Sequence, residues 1–163
     1  MTEISPDFSD IDKTMNLVKK ITTISPEQTE DAGRDLASLM LADPSLPRFI
    51  ALYGDLGVGK TAFVRGFTSS IAPNARVKSP TFALVNEYKG EKTSVFHFDM
   101  YRITDEDELY SIGFYDYLDR NGICLVEWSE NIEYALPENY LHIEITKCSQ
   151  DNTDMRQISI SLQ

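Results

Sequence analysis

The octapeptide GDLGVGKT, residues 54–61, stands between the apolar run FIALY and the segment AFVRGF. No other stretch constrains the fold as strongly. Gly54, Gly59, Lys60 and Thr61 satisfy the pattern GxxxxGK followed by Ser or Thr. In that pattern glycines let backbone N–H groups curl around phosphate oxygens, and the following helix adds its positive N-terminal end. Lys60 then reaches the β- and γ-phosphates as a point charge, and the Thr61 hydroxyl completes the shell of a Mg²⁺ bridging the same oxygens. Asp55, Leu56, Gly57 and Val58 vary freely in the pattern, with Gly57 adding backbone freedom. A nucleoside triphosphate with Mg²⁺ is the expected ligand, cradled by this loop and by Ala62 just inside the helix.

The surroundings of the loop agree. RFIALYG (48–54) is a continuously apolar strand of the kind buried on both faces in a parallel sheet, and KTAFVRGFTSSI after the loop predicts a helix. Upstream, MNLVKKITTIS alternates as a strand does. SPEQTEDAGRDLASLMLADP then opens a helix with Ser25 as cap, Pro26 in the first position and Gln28 as capping-box partner; Ala32, Leu36, Leu39 and Met40 form its buried stripe. Downstream, FALVNEY and SVFHFDM predict a hairpin across KGEKT. TDEDELYSIG predicts a helix capped by Thr104 and Asp107 and closed by Gly113, its acids complementing the positive first turn rather than forming a metal cluster. GICLVEW is another buried strand, SENIEYAL a short helix stopped by Pro137, and YLHIEIT with MRQISISL a terminal pair of alternating strands.

That order implies an α/β fold, a single-domain, P-loop NTPase-like three-layer sandwich. Its central sheet is mixed and largely parallel, with antiparallel edge strands. The chain of 163 residues is about one domain long. Residues 1–14 mix acids with Ser and Pro without a period and are expected to be a flexible N-terminal extension; 15–163 would be the P-loop domain.

Fifteen basic against 26 acidic residues give a net charge of −11, which argues against a direct grip on a phosphate backbone. Any nucleic acid is therefore expected to be reached through a partner. Cys124 and Cys148 lack the paired spacing of a metal site or dithiol centre and read as reduced core thiols. No cationic-then-apolar leader opens the sequence, and no apolar run approaches the roughly 18 residues that span a bilayer. A cytoplasmic protein without membrane contact is expected.

A Mg²⁺ site in this fold wants a carboxylate at the end of a neighbouring strand. CLVE ends in Glu127 and VFHFD in Asp99. Glu127 is assigned to the metal, directly or through water, and Asp99 to the γ-phosphate side, orienting water or sensing the phosphate; the reverse assignment stays open. His97, between Phe96 and Phe98, faces away from both and reads as a hydrogen-bonded structural histidine. His142 reads as exposed.

The segments LYGDLGVGKTAFVRGF, VKSPTFALVNEY, FHFDMYRI and ICLVEW resemble, in order and spacing, the successive motifs of the TsaE family of bacterial P-loop ATPases over roughly residues 24–145. The resemblance implies a role in threonylcarbamoyl transfer to adenosine 37 of tRNA. The ATPase would dock on the transferase TsaD, which works with TsaB, and would reset that complex between rounds. It implies that Thr61 and Glu127 are Mg²⁺ ligands, that Asp99 lies near the γ-phosphate and that the Trp128 ring lies beside the nucleotide. It also implies that Ser79, Pro80 and Thr81 form a switch-like segment able to tighten on γ-phosphate. Without it, SPT reads as a turn. Thr29 and Arg156 are candidate adenine contacts.

Three rival readings use the same loop, one of them a nucleotide-gated binding module in which ATP sets the shape of a docking surface and hydrolysis is incidental. A small P-loop kinase needs several arginines on a lid, whereas the seven arginines here are scattered. A GTPase needs an NKxD guanine reader, which is absent, and DRNG at 119–122 precedes a strand where a switch motif should follow one.

Overall fold

The structure, a computed structural model, describes residues 19–148 and 150–163. The expected extension 1–14 and the start of the expected first strand, 15–18, lie outside the described residues. The elements in chain order are β1 (Lys19–Thr23), α1 (Pro26–Ala42), β2 (Phe49–Tyr53), α2 (Lys60–Ile71), β3 (Val85–Lys89), β4 (Ser94–Asp99), α3 (Glu106–Ser111), α4 (Phe114–Leu118) and β5 (Gly122–Glu127). A 3-10 helix (Ser129–Ala135), β6 (Leu141–Lys147) and β7 (Arg156–Leu162) follow.

Seven strands form one sheet in the order β1-β7-β6-β2-β5-β4-β3. β2 pairs in parallel with β5 and β6, and β5 in parallel with β4. The outer pairings, β1 with β7, β7 with β6 and β3 with β4, are antiparallel. This is the mixed sheet with parallel centre that the apolar and alternating segments predict, and it sets the P-loop strand β2 in the middle.

The period of two along β2 builds the two outer layers. Ile50 and Leu52 face α1 and α2, packing with Leu36, Phe63, Val64 and Phe67. Phe49 and Ala51 face the other way, onto Phe98, Leu109, Phe114, Cys124 and Ile132. α1 and α2 approach so closely that a Cβ on Gly66 would collide with the Glu30 carbonyl of α1. α1 starts as predicted: Ser25 accepts from the Gln28 N–H at 3.2 Å, while the Gln28 side chain accepts from the Ile24 N–H at 3.0 Å.

Several local expectations are corrected. The α3 cap is Asp105, one residue later than expected: its carboxylate takes the Glu108 N–H at 3.0 Å, and the Glu108 carboxylate returns to the Thr104 N–H at 3.0 Å. That register turns Leu109 fully into the core. Gly113, at φ 74°, passes directly into α4, a five-residue helix too short to announce itself by period. β3 begins at Val85 rather than Phe82, because Leu84 stands at φ 67°, which extended backbone does not allow.

Cys124 is buried in β5, and burial pushes its thiol up to about 12. Cys148 is exposed just beyond β6 and is no core residue. His142 is half-buried, stacked on Tyr53 with centroids 4.1 Å apart, and burial lowers its pKa. His97 does face away from Phe96 and Phe98, but neither imidazole nitrogen makes a hydrogen bond.

Candidate functional site

The site forms where β2, β4 and β5 end, at the C-terminal edge of the parallel strands, the usual ligand crevice of open α/β sheets. The loop after β2 turns on Gly54, Gly57 and Gly59, at φ 141°, 79° and 107°. At Gly54 the requirement is also spatial: a Cβ would stand 2.5 Å from the Ile145 carbonyl oxygen and 2.7 Å from a Val58 methyl. Val58 anchors the loop by burying its side chain beneath α2. Gly59 precedes α2 and offers no side-chain cap, so the first N–H groups of the helix stay available to an anion.

Lys60 is almost buried; its ammonium donates to the Gly54 carbonyl and lies 3.6 Å from the centroid of the Trp128 ring. Desolvation lowers its pKa, opposed by the charges of Glu127, Glu130, Asp99 and Asp55. The Thr61 hydroxyl donates to Glu127 Oε1 at 2.9 Å. Asp99 and Glu127 are direct partners in the β4–β5 register, so the two buried carboxylates stand side by side opposite the Lys60 charge.

Asp99 is also the anchor of the loop before β3. Its Oδ2 accepts from the Ser79 hydroxyl at 3.2 Å, which is 3.0 Å from the Thr81 hydroxyl, and its Oδ1 accepts from the Tyr101 N–H at 3.0 Å. Pro80 is buried between the two hydroxyl residues, and its carbonyl accepts from the Leu84 N–H at 2.7 Å. Trp128 holds φ 59°, a conformation costly for a tryptophan, immediately after Glu127. Ser129 donates back to the Val126 carbonyl at 2.7 Å, and the Asn131 amide donates to the Met100 carbonyl at 2.9 Å.

The structure thus brings Leu56, Gly57, Gly59, Lys60, Thr61, Ala62, Ser79, Thr81, Asp99, Glu127 and Trp128 around one cleft of about 350 Å³. Asp55 is exposed beside it and lines a neighbouring hollow with Gly54 and Val58. A larger hollow, about 750 Å³, lies at the far end of α2 against the β3–β4 hairpin, and it contains neither the glycine loop nor Asp99 or Glu127.

Thr29 and Arg156 are not on the cleft wall. The Thr29 hydroxyl pairs with that of Thr23 at 2.9 Å, and its methyl lies behind Gly59. Arg156 reaches from β7 to donate to the Val58 carbonyl at 2.7 Å and so braces the loop from behind. Sequence reasoning missed Tyr101, which lines the cleft with its ring 4.9 Å from that of Trp128. Its place two residues after the strand-end Asp99 was the available signal.

The donor set fits Mg²⁺. Thr61 and Glu127 offer hard oxygens, and Mg²⁺ is usually held by one or two such groups plus phosphate oxygens and water. Among the described residues no group of three or more His, Cys, Asp or Glu could hold a metal unaided.

Comparison with known proteins places this arrangement. The family described as "Threonylcarbamoyl adenosine biosynthesis protein TsaE" matches residues 23–158. The protein named tRNA threonylcarbamoyladenosine biosynthesis protein TsaE from Bacillus subtilis (strain 168) is 36% identical over 136 residues, 83% of this chain and 82% of that protein. Its counterpart by name in Haemophilus influenzae is 44% identical over 96 residues, 59% of this chain and 61% of that one. The crystal structure of Bacillus subtilis YdiB superposes with a TM-score of 0.69 at 32% identity, covering 90% of this chain and 86% of its own. With a glycine loop, a mixed sheet and a matched span that agree, the chain belongs to the TsaE family of P-loop, NTPase-like proteins.

Proposed function

We propose that this chain binds and hydrolyses ATP with Mg²⁺ as an accessory of threonylcarbamoyl transfer to adenosine 37 of tRNA, acting in the cytoplasm on a TsaD–TsaB complex. The observation that carries the reading is the Thr61–Glu127 hydrogen bond set beside Asp99 at the mouth of the glycine loop. Family membership supports the pathway.

The residues would divide the work as follows. The free N–H groups at the start of α2 and of the loop would bind phosphate oxygens, and Lys60 would leave the Gly54 carbonyl for the β- and γ-phosphates. Thr61 and Glu127 would hold Mg²⁺, which when bound neutralises charge between the β- and γ-phosphates. Asp99 would orient the attacking water while its Oδ2 keeps Ser79, and with it Thr81, within reach of the γ-phosphate. Loss of that phosphate would release the two hydroxyls, giving the loop two states that a partner could read. Trp128 would lie against the nucleotide and against Lys60.

The net charge of −11 supports contact with tRNA through partners rather than directly. No helix among the described residues is long and apolar enough to cross a membrane. The kinase alternative loses support from the arginines. Arg34, Arg65 and Arg120 pair with Asp31, Glu30 and Glu87, while Arg48 and Arg156 bond to Thr93 and to backbone carbonyls. The test compares ATP turnover by the purified chain alone and with TsaD and TsaB. Turnover that rises with the partners supports the reading. Partners that change neither turnover nor complex formation refute the accessory role, and labelled phosphate appearing on a small acceptor would make the chain a kinase.

A further inference from the structure

His97 is a buried polar group of the sheet that the reading above leaves unused. It lies on β4 two residues before Asp99, fully buried, on the face that β4 turns toward α2. The position before it on the same face is Val95, an ordinary core residue. Neither nitrogen of His97 has a hydrogen-bond partner, a costly state for a buried polar group. Yet Nε2 lies 3.5 Å from Glu127 Oε2, while the other oxygen of the same carboxylate accepts from Thr61 at 2.9 Å. The carboxylate is therefore flanked on both sides, by a bonded hydroxyl and by an imidazole about 0.3 Å beyond the usual hydrogen-bond range.

We infer that His97 is a positioning residue: its Nε2–H engages Oε2 of Glu127, so that Oε1 is the oxygen presented to Thr61 and to the cation. The inference rests on the Mg²⁺–ATP reading above. A carboxylate on a parallel strand end rotates about its last bond unless something holds one oxygen. β4 supplies the holder because its register with β5 sets Asp99 opposite Glu127 and His97 one same-face position deeper. Partners behind a metal ligand fix its orientation, and their loss typically costs 10–100-fold in metal affinity. Thr61 cannot do this alone, since its hydroxyl is itself a proposed ligand.

The experiment measures the dissociation constant of a nonhydrolysable ATP analogue with Mg²⁺ and with EDTA, for the wild type, His97→Leu and His97→Gln. The ratio of the two constants is the gain from metal. His97→Leu should keep the EDTA affinity and lose about tenfold of that gain. His97→Gln, whose amide places an N–H near the position of Nε2, should restore most of it, which a purely structural role would not predict. His97→Leu with the wild-type ratio, or His97→Gln as impaired as His97→Leu, overturns the inference. A wild type with no gain from Mg²⁺ refutes the metal reading itself and this inference with it. Should the leucine variant not fold, ¹⁵N NMR of the wild-type imidazole decides: a proton on Nε2, with a resonance that moves when Mg²⁺ joins the analogue, supports the assignment, and a bare Nε2 overturns it.

Discussion

Replacing Thr61 by valine removes one hydroxyl at constant shape, and the structure says what that hydroxyl does before any ligand arrives. It donates to Glu127 Oε1 at 2.9 Å, and Glu127 is 3% exposed, so the acceptor is a buried carboxylate with little access to water. A hydrogen bond to a charged group contributes about 1.5–3 kcal/mol, and the orphaned oxygen leaves the loss near the full value. Thr61→Val should therefore lower the melting temperature of the free protein by about 3–12 °C, at about 2–4 °C per kcal/mol for a domain of this size. Thr61→Ser, which keeps the hydroxyl, should melt close to the wild type. Repeating both melts with an ATP analogue, with and without Mg²⁺, reads the second role: the extra stabilisation from metal should vanish in Thr61→Val and persist in Thr61→Ser. A Thr61→Val protein that melts with the wild type and keeps the Mg²⁺ increment would refute both the hydrogen-bond argument and the metal assignment.

Lys60→Ala should abolish tight ATP binding, read by calorimetry. Because burial lowers the Lys60 pKa, the free protein loses that proton below the usual lysine range, so ATP affinity should fall as pH rises through the lowered value. The unfolded chain holds the proton more tightly, so the stability of the free protein should rise across the same window; an affinity that falls no earlier than the titration of an ordinary lysine would contradict this. Asp99→Ala should bind ATP but fail in single-turnover hydrolysis, and normal single turnover would move the water-orienting role elsewhere. Gly66→Ala forces a methyl into the Glu30 backbone and should cost about 1–3 kcal/mol in urea unfolding, a cost that an unchanged midpoint would disprove.

Much of this site is readable in one dimension because a buried parallel strand is a continuous apolar run that ends abruptly. FIALY stops at Gly54, ICLV at Glu127 and VFHF at Asp99, so three strand ends and the candidate site residues at them can be marked on the sequence. The α3 cap is not readable to the residue, since Thr104, Asp105 and Asp107 can all cap and the choice falls to burial of Leu109. Leu84 hides its turn because an apolar residue at positive φ carries no local signal. His142 looks like an outward strand position, yet the parallel neighbour β2 sets Tyr53 beside it. The contact between His97 and Glu127 depends on the β4–β5 register and on side-chain direction, neither of which is encoded in their spacing along the chain.

In the proposed role, ATP binding and hydrolysis at this site serve repeated rounds of threonylcarbamoyl transfer. The direct measurement counts modified adenosine 37 formed in a reconstituted reaction with TsaD, TsaB, tRNA and the activated threonylcarbamoyl donor. With the chain and Mg²⁺–ATP present, product should accumulate well past one per transferase complex. Without the chain, or with Lys60→Ala in its place, it should stop near one. Unabated turnover in its absence, or full support from Lys60→Ala, would contradict that role.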